Sequence, residues 1–298
     1  MEDFSRSDLA CESGAMGRGS KGLPRDVYRE EQVGDHTVAR LTIRDGEDEK
    51  TFGKPRGTYV TFLCDKIWLM GEDTLGELTQ SVAKELRAMC RKVSGKRVDR
   101  NFGVLVAGLG NSEITADAIG PESVRKLNVT RHLKAVDEGL YNTVGRCEIS
   151  AVFPGVLGQT GIETVELIRG ATENARPDVV IAIDALAARS CDRLASTVQI
   201  SDAGINPGSG IGNDRKAICK DTVGCPVIAL GVPTVVDSST LVYDALHRAG
   251  IREVGEELRS VLENGRRFFV SPKESDVITE RVSALIADAV DLAFTVEE

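Results

Sequence analysis

Aromatic residues, histidines and long apolar runs are all scarce in this sequence. Phenylalanine, tyrosine and tryptophan together make up 4% of its 298 residues, and it contains three histidines. No apolar run approaches the roughly 20 residues that a membrane-spanning helix needs. The N-terminal stretch MEDFSRSDLACESG lacks the basic region and the apolar stretch of a secretory signal. We therefore expect a cytoplasmic protein with no membrane partner.

Positive charge is in deficit as well. The chain carries 37 Lys and Arg residues against 46 Asp and Glu residues, which gives a net charge of −9. A nucleic-acid-binding protein usually has a surplus of basic residues on at least one face. Because the basic residues here are scattered along the chain, the sequence argues against direct contact with nucleic acid.

The cysteines lack the spacing of a disulfide framework or a zinc ribbon. The chain has seven of them, an odd number, and no pair has C-x-x-C spacing. We predict reduced thiols, most of them buried as small apolar side chains. They are Cys11, Cys64, Cys90, Cys147, Cys191, Cys219 and Cys225.

The apolar pattern predicts alternating strands and helices after an N-terminal tail over 1–24. Residues 36–63 have a β-like pattern interrupted by a charged turn at Gly46, and 73–93 have the period of an amphipathic helix. Strands are then predicted at 103–108, 149–153, 178–184, 197–200 and 226–231, and helices at 119–127, 161–176, 238–248 and 275–293. This order predicts one α/β domain over 25–298, with a mostly parallel twisted sheet, helices on both faces and an added N-terminal β segment.

The loop GLGNSEITADAIGP, residues 108–121, resembles a nucleotide-binding loop only in part. A dinucleotide fingerprint needs a third glycine where this chain has Glu113, and the Gly-Lys-Ser/Thr of a P-loop is absent. Phosphate binding by this loop is therefore disfavoured.

Two aspartates follow predicted strands and are candidates for chemistry. Asp117 lies in the loop after strand 103–108, and Asp184 ends the apolar run Val179–Ile183. In an open α/β sheet, ligands bind beyond the carboxyl ends of the strands. Two carboxyl groups that meet there have pKa values pushed apart, so that one can act as base and the other as acid. Each aspartate could instead cap a helix or turn, and Asp184 could pair with Arg189; the sequence pattern leaves these alternatives open.

Longer motifs along the chain carry a family resemblance. They are GLGN (108–111), TADAIGP (115–121), TRHL (130–133), FPGVLGQTGIET (153–164), IAIDALAARS (181–190), QISDAGINPGSGIGN (199–213), PVIALGVPTVVD (226–237) and VSPKE (270–274). In this order they resemble the germination protease family of bacterial spores, and the likeness covers most of 100–295.

The resemblance implies an endopeptidase that starts the degradation of small acid-soluble spore proteins during germination. It implies a fold similar to the hydrogenase-maturation peptidases, of phosphorylase/hydrolase-like type. It also implies a self-processing zymogen that assembles as a homotetramer in the spore or forespore interior. The aspartates that the family regards as catalytic correspond here to Asp117 and Asp184.

The same resemblance implies a role for the N-terminal tail. Residues 6–12, RSDLACE, look like the processing site of the family, in which an acidic residue precedes an apolar one. This places the cut between Asp8 and Leu9, with a propeptide over 1–8 and a flexible tail over 9–24. A tail without function is the alternative.

Two features depart from the family or from its structural relatives. The stretch 243–268 is shorter than expected for the family. The maturation peptidases bind nickel through acids and a histidine, whereas His132 is the only histidine within a matching motif here and lies well beyond the loop. We therefore expect no metal and no cofactor. A metallopeptidase using the same acids, and a non-catalytic α/β protein that binds a nucleotide or small ligand, are the alternative functions.

Overall fold

The computed structural model describes residues 7–12, 23–208, 215–251, 255–264 and 268–296. The strands are β1 (Tyr28–Val33), β2 (His36–Ile43), β3 (Gly57–Leu63), β4 (Gly103–Gly108), β5 (Glu148–Val152), β6 (Val179–Ala188), β7 (Thr197–Ser201), β8 (Val227–Asp237) and β9 (Phe269–Val270). The helices are α1 (Gly46–Phe52), α2 (Glu72–Ser94), α3 (Ile119–Lys126), α4 (Arg131–Val136), α5 (Glu138–Thr143), α6 (Leu157–Thr160), α7 (Thr164–Ala175), α8 (Lys220–Val223), α9 (Ser238–Arg248), α10 (Glu256–Asn264) and α11 (Ser275–Ala293).

The strands form one sheet in the order β1-β2-β3-β7-β8-β6-β4-β5, with β9 beside β8. This confirms the predicted α/β class with its added N-terminal β segment. The sheet is mixed: β5, β4, β6 and β8 are parallel, whereas β1, β2, β3 and β7 pair antiparallel and β7 is antiparallel to β8. A short 3-10 turn, Cys191–Arg193, connects β6 to β7. A parallel strand would need a longer crossover, so β7 returns in the opposite direction.

Helices cover both faces of the parallel half. Along β6, Ile181 and Ile183 pack into the cluster that contains α2 and α11, while Val180 and Ala182 pack on the other side against α7 and α8. Both sets are fully buried. This two-sided burial explains why the β6 sequence is continuously apolar rather than alternating.

The described elements differ from the sequence prediction at particular places. The predicted charged turn at Gly46 is wrong, because helix α1 begins there. Asp45 caps α1, since its side chain accepts hydrogen bonds from the backbone N–H groups of Glu47 and Asp48. Strands β6 and β8 extend beyond their predicted ends, to Ala188 and Asp237.

The N-terminal tail packs against the domain in part. The predicted flexible tail over 9–24 is wrong for Leu9–Glu12, because Leu9 and Ala10 are buried and residues 10–12 form a 3-10 turn. The remainder of that tail up to residue 22, and residues 1–6 of the predicted propeptide, lie outside the described residues.

Candidate active site

Asp117 is held by the loop that follows β4. Its Oδ2 accepts a hydrogen bond of 2.8 Å from the backbone N–H of Asn111. Gly110 makes this turn with a φ of +108°, and a Cβ at that position would lie 2.1 Å from the carbonyl oxygen of Asp117. Only glycine fits both the backbone angle and the close approach.

Neighbouring elements fix the position of the same loop. The hydroxyl of Thr234 on β8 donates to the carbonyl of Ala116 at 2.6 Å, and that of Thr279 on α11 donates to Thr115 at 2.8 Å. Thr234 therefore supports the loop that carries Asp117.

Asp184 lies inside β6, opposite Gly231 of β8, and is 7% exposed. Its Oδ1 accepts a hydrogen bond of 3.0 Å from the N–H of Ala185. Since β6 continues to Ala188, Asp184 caps no turn. Asp117 caps no helix either, because the N-cap of α3 is Ala118. The capping interpretation is thus wrong for both aspartates.

Burial and neighbouring charges shift the ionisation of both carboxyl groups. Burial raises the pKa of Asp117 above its ordinary value. Burial also raises the pKa of Asp184 well above its ordinary value, and the negative charges of Asp117 and then of Asp8 raise it further. The Arg215 guanidinium acts in the opposite sense on the pKa of both aspartates. The pKa of Asp184 is therefore raised more than that of Asp117, so Asp184 is the member of the pair that holds a proton more tightly.

Residues 7–12, called here the docked segment, lie against β6 and the cavity beside Asp184. The backbone N–H of Asp8 donates to the carbonyl of Ala187, and the N–H of Ala187 donates to Oδ2 of Asp8, both at 2.9 Å. The side chain of Leu9 is fully buried in an apolar cluster with Leu186, Ala188, Leu194 and Val236.

The end of the docked segment is anchored by an acid. The carboxylate of Glu12 accepts hydrogen bonds from the backbone N–H groups of Arg189 at 2.7 Å and Ser190 at 3.1 Å. Arg189 thus binds the docked segment through its backbone N–H. Its charge is not among the causes that shift the pKa of Asp184.

Gln199 of β7 binds the docked segment with both ends of its amide. Its Oε1 accepts from the N–H of Ala10 at 2.7 Å, and its Nε2 donates to the carbonyl oxygen of Asp8 at 3.1 Å. Nζ of Lys54 donates to the carbonyl of Ser7 at 2.8 Å. Burial lowers the pKa of Lys54, and the charges of Asp8 and Glu12 act against that shift.

A cavity of about 80 Å³ lies beside these groups, large enough for a water molecule. Asp8, Asp184, Gln199, Gly231 and Asn206 are among its lining residues, whereas Asp117 is not among those described. Asn206 begins a loop whose residues 209–213 lie outside the described residues.

Sequence reasoning missed Gln199, Lys54 and Arg215. Gln199 carried one available signal, because it is a polar residue between Val198 and Ile200 inside a predicted strand. The other two depend on contacts across the fold. His132, the histidine considered above as a metal ligand, lies on α4 and is exposed to solvent.

The described residues also bear on metal binding, on membrane-spanning helices and on the stretch 243–268. In the part of the chain that the structure describes, no group of three His, Cys, Asp or Glu side chains could hold a metal ion. None of its helices combines the length and apolar character needed to cross a membrane. The compact stretch 243–268 contains the end of α9 and α10, with 252–254 and 265–267 outside the described residues.

Comparison with known proteins places the chain in a family. The family model described as "Germination protease" matches residues 18–268. The germination protease of Clostridium acetobutylicum is 37% identical, covering 97% of this chain and 94% of its own length. That of Oceanobacillus iheyensis is 45% identical over 81% of this chain and 66% of its own length.

A solved structure also resembles part of the chain. The [NiFe] hydrogenase maturation protease HycI from Thermococcus kodakarensis covers 63% of this chain and 92% of its own, with 16% identity and a TM-score of 0.32. The membership itself rests on the sequence matches, which span most of the chain. The chain therefore belongs to the germination protease family and is an endopeptidase.

Proposed function

We propose that this endopeptidase starts the degradation of small acid-soluble spore proteins during germination. We also propose that it is made as a zymogen that cuts its own chain between Asp8 and Leu9. Asp117 and Asp184 catalyse both reactions in this proposal. The observation that carries the proposal is the docked segment, in which an acidic residue followed by a buried leucine lies beside Asp184. The family named in the comparisons supports the substrate.

In the proposed mechanism Asp117 is the base and Asp184 the acid. The oxygen of a water molecule attacks the carbonyl carbon of Asp8 while Asp117 accepts one water proton. Asp184 then protonates the nitrogen of Leu9 as the carbon–nitrogen bond breaks, which leaves a carboxyl group on one product and an amine on the other. The proton held by Asp117 returns to Asp184 and restores the pair. The raised pKa of Asp184 supports this division, because an acid catalyst must remain protonated at working pH.

Substitution of each aspartate by asparagine tests the proposal. We expect Asp117→Asn and Asp184→Asn to fold but to lose self-processing and digestion of spore proteins by about 10³-fold or more, since each removes a proton-transfer group. Mass spectrometry of the full chain, incubated at mildly acidic pH, measures the new N-terminus.

Asp237→Asn provides the matched control. Asp237 is also a buried aspartate at the carboxyl end of a strand, but its carboxylate caps α9 by accepting from Ser239, a role that asparagine can fill. This variant should process itself at the normal rate. Continued cutting by purified Asp117→Asn or Asp184→Asn would remove that residue from the mechanism.

Two further measurements test the assembly state and the metal content of the protein. We propose a homotetramer located in the spore or forespore interior, which light scattering of the purified chain would test by its mass. The mechanism uses no metal, so a chelator should leave the self-processing rate unchanged. A rate that falls with chelator and returns with added metal would favour the metallopeptidase alternative.

A further inference from the structure

Gln199 and Asp184 face the same cavity from different strands. Gln199 of β7 is in register with Gly231 of β8, which is in turn in register with Asp184 of β6. Residues in register on neighbouring strands have side chains on the same face of the sheet. Gly231 has no side chain, and the side chain of Leu186 packs over it. Asp8, Asp184, Leu186 and Gln199 all line the cavity.

The hydrogen bonds of the docked segment determine which way the Gln199 amide points. The N–H of Ala10 requires an acceptor and the carbonyl of Asp8 requires a donor. The observed orientation supplies Oε1 to the first at 2.7 Å and Nε2 to the second at 3.1 Å. A flipped amide would place donor against donor and acceptor against acceptor. The N–H of Gln199 is therefore directed at the carbonyl oxygen of the Asp8–Leu9 bond.

We propose that Gln199 is a catalytic residue whose side-chain N–H binds the carbonyl oxygen of the bond being cut and stabilises the negative charge that forms on it. The inference rests on the proposed function, because that function identifies Asp8–Leu9 as the cut bond. Gln199 is buried at 7% exposure, which shields this hydrogen bond from competing water.

The proposed role follows the movement of charge during the reaction. When the water oxygen bonds to the Asp8 carbonyl carbon, the π electron pair moves onto the carbonyl oxygen, which becomes an oxyanion. A hydrogen bond to an anionic oxygen is stronger than one to a neutral carbonyl, so Gln199 stabilises the intermediate more than the ground state. The electron pair returns to form the carbonyl when the bond to the Leu9 nitrogen breaks. Loss of one such donor reduces the rate by about 10²–10³-fold in other hydrolases.

Two substitutions separate this role from simple holding of the segment. Gln199→Met has similar length and neither donates nor accepts. Gln199→Glu keeps an acceptor for the N–H of Ala10, but it can donate to the Asp8 carbonyl only when protonated. The self-processing rate of each full-length variant is measured from mildly acidic to neutral pH, and hydrogen exchange at Ala10 reports whether the segment stays docked. Gln32→Met, on exposed strand β1, is the control.

We expect Gln199→Met to process itself about 10²–10³-fold more slowly than the unmodified chain. Gln199→Glu should show a similar loss at neutral pH while Ala10 remains protected, and its rate relative to the unmodified chain should recover as pH falls. A Gln199→Glu rate within about threefold of the unmodified chain at neutral pH would overturn the proposal. A loss that is equal at every pH and accompanies loss of Ala10 protection would also overturn it, since that pattern belongs to holding alone. Should Gln199→Met fail to fold, the rate and the pH dependence of Gln199→Glu alone test the role of Gln199 by these criteria.

Failure of this inference is distinguishable from failure of the proposed function. If Asp117→Asn and Asp184→Asn are inactive while both Gln199 variants cut normally, only the role of Gln199 falls. If the unmodified chain does not cut between Asp8 and Leu9, the proposed function falls and this inference falls with it.

Discussion

Burial of Asp184 couples its ionisation to the stability of the folded chain. Its pKa in the folded state is well above the ordinary 3.8, because burial and the charge of Asp117 disfavour the carboxylate. The folded state therefore retains a proton that the unfolded state releases once the pH exceeds that ordinary value. Stability decreases as pH rises through this interval, and the loss is complete above the raised pKa.

We expect Asp184→Asn to be more stable than the unmodified chain at neutral pH. Asparagine cannot ionise, and its side-chain oxygen can still accept from the N–H of Ala185. The difference in melting temperature should shrink as the pH falls through 3.8, well below which the aspartate is protonated in both states. Thermal unfolding of both proteins across this range measures it.

Asp288→Asn, an exposed position on α11, provides the control for that comparison. Its melting temperature should follow that of the unmodified chain. An Asp184→Asn variant that is less stable at neutral pH than at pH 4, relative to the unmodified chain, would contradict the electrostatic account of the site.

At the scale of elements, the close contact between α3 and the strand ends positions Asp117. A Cβ at Gly120 would lie 2.2 Å from the carbonyl oxygen of Leu109 and 2.6 Å from that of Ile183. The first turn of α3 can thus approach the end of β4 and Ile183 of β6 only because residue 120 has no side chain. Asp117 precedes this turn and is carried with it.

Gly120→Ala should therefore lower both stability and self-processing. We expect a loss of about 1–3 kcal/mol, typical of overpacking against a fixed backbone, and a displaced Asp117. Gly170→Ala is the matched control, because Gly170 also lies in a helix, α7, but a Cβ there meets no atom within 4 Å. That substitution should raise stability by about 0.5–1 kcal/mol. Denaturant unfolding and mass spectrometry measure the two effects. Equal behaviour of the two variants would show that the approach of α3 to the strands is not needed.

Elements whose pattern reflects local burial were predictable, whereas those that depend on distant partners were not. Helix α11 has an apolar stripe that packs in the core cluster against α2 and α3, and its predicted limits match the observed ones. Strand β1 was missed because nearly all its side chains are exposed, so it lacks the alternation that indicates a strand. The docked position of Leu9 depends on a pocket built from β6 and β8, and no local pattern encodes it.

In the candidate site, too, some residues could be picked out from the local sequence and others depend on distant strand pairing. The roles of Asp117 and Asp184 stay a prediction, made because ligands of open α/β sheets bind beyond the carboxyl ends of the strands. Asp184 nevertheless lies inside β6, which continues to Ala188. Gln199 could not be assigned, since its position beside Asp184 results from β7 pairing antiparallel with β8. Sequence alone predicted mostly parallel strands and gave no reason to place β7 there.

At the scale of the whole molecule, the docked segment and the cavity that it lines belong to the same chain. A ligand joined to its own site by a short linker acts at an effective concentration of about millimolar. Any separate peptide must displace the docked segment before it can bind. Contacts made by Asp8, Leu9 and Glu12 set how strongly the segment competes.

Release of the docked segment should therefore increase the affinity for a separate peptide. In a chain kept uncut by Asp117→Asn, we expect the further substitution Leu9→Asp to displace the segment, because it would bury a charge in an apolar pocket. A labelled peptide of sequence RSDLACES should then bind at least tenfold more tightly by fluorescence polarisation. Val33→Asp, at a partly exposed position on β1, is the control and should leave affinity unchanged. Equal affinity with and without Leu9→Asp would mean that the segment does not compete for the peptide site.

If the chain is the proposed zymogen, the location of the cut within the docked segment would make its activation irreversible under ordinary conditions. Once the Asp8–Leu9 bond is broken, the released octapeptide diffuses away and is diluted throughout the compartment. The contacts of Asp8 with Ala187 and Gln199 leave with it, while Leu9 to Glu12 remain attached to the enzyme. Rebinding would then depend on the bulk concentration of the free peptide rather than on chain connectivity, so under the proposed function a single hydrolysis event would commit each molecule to the active form.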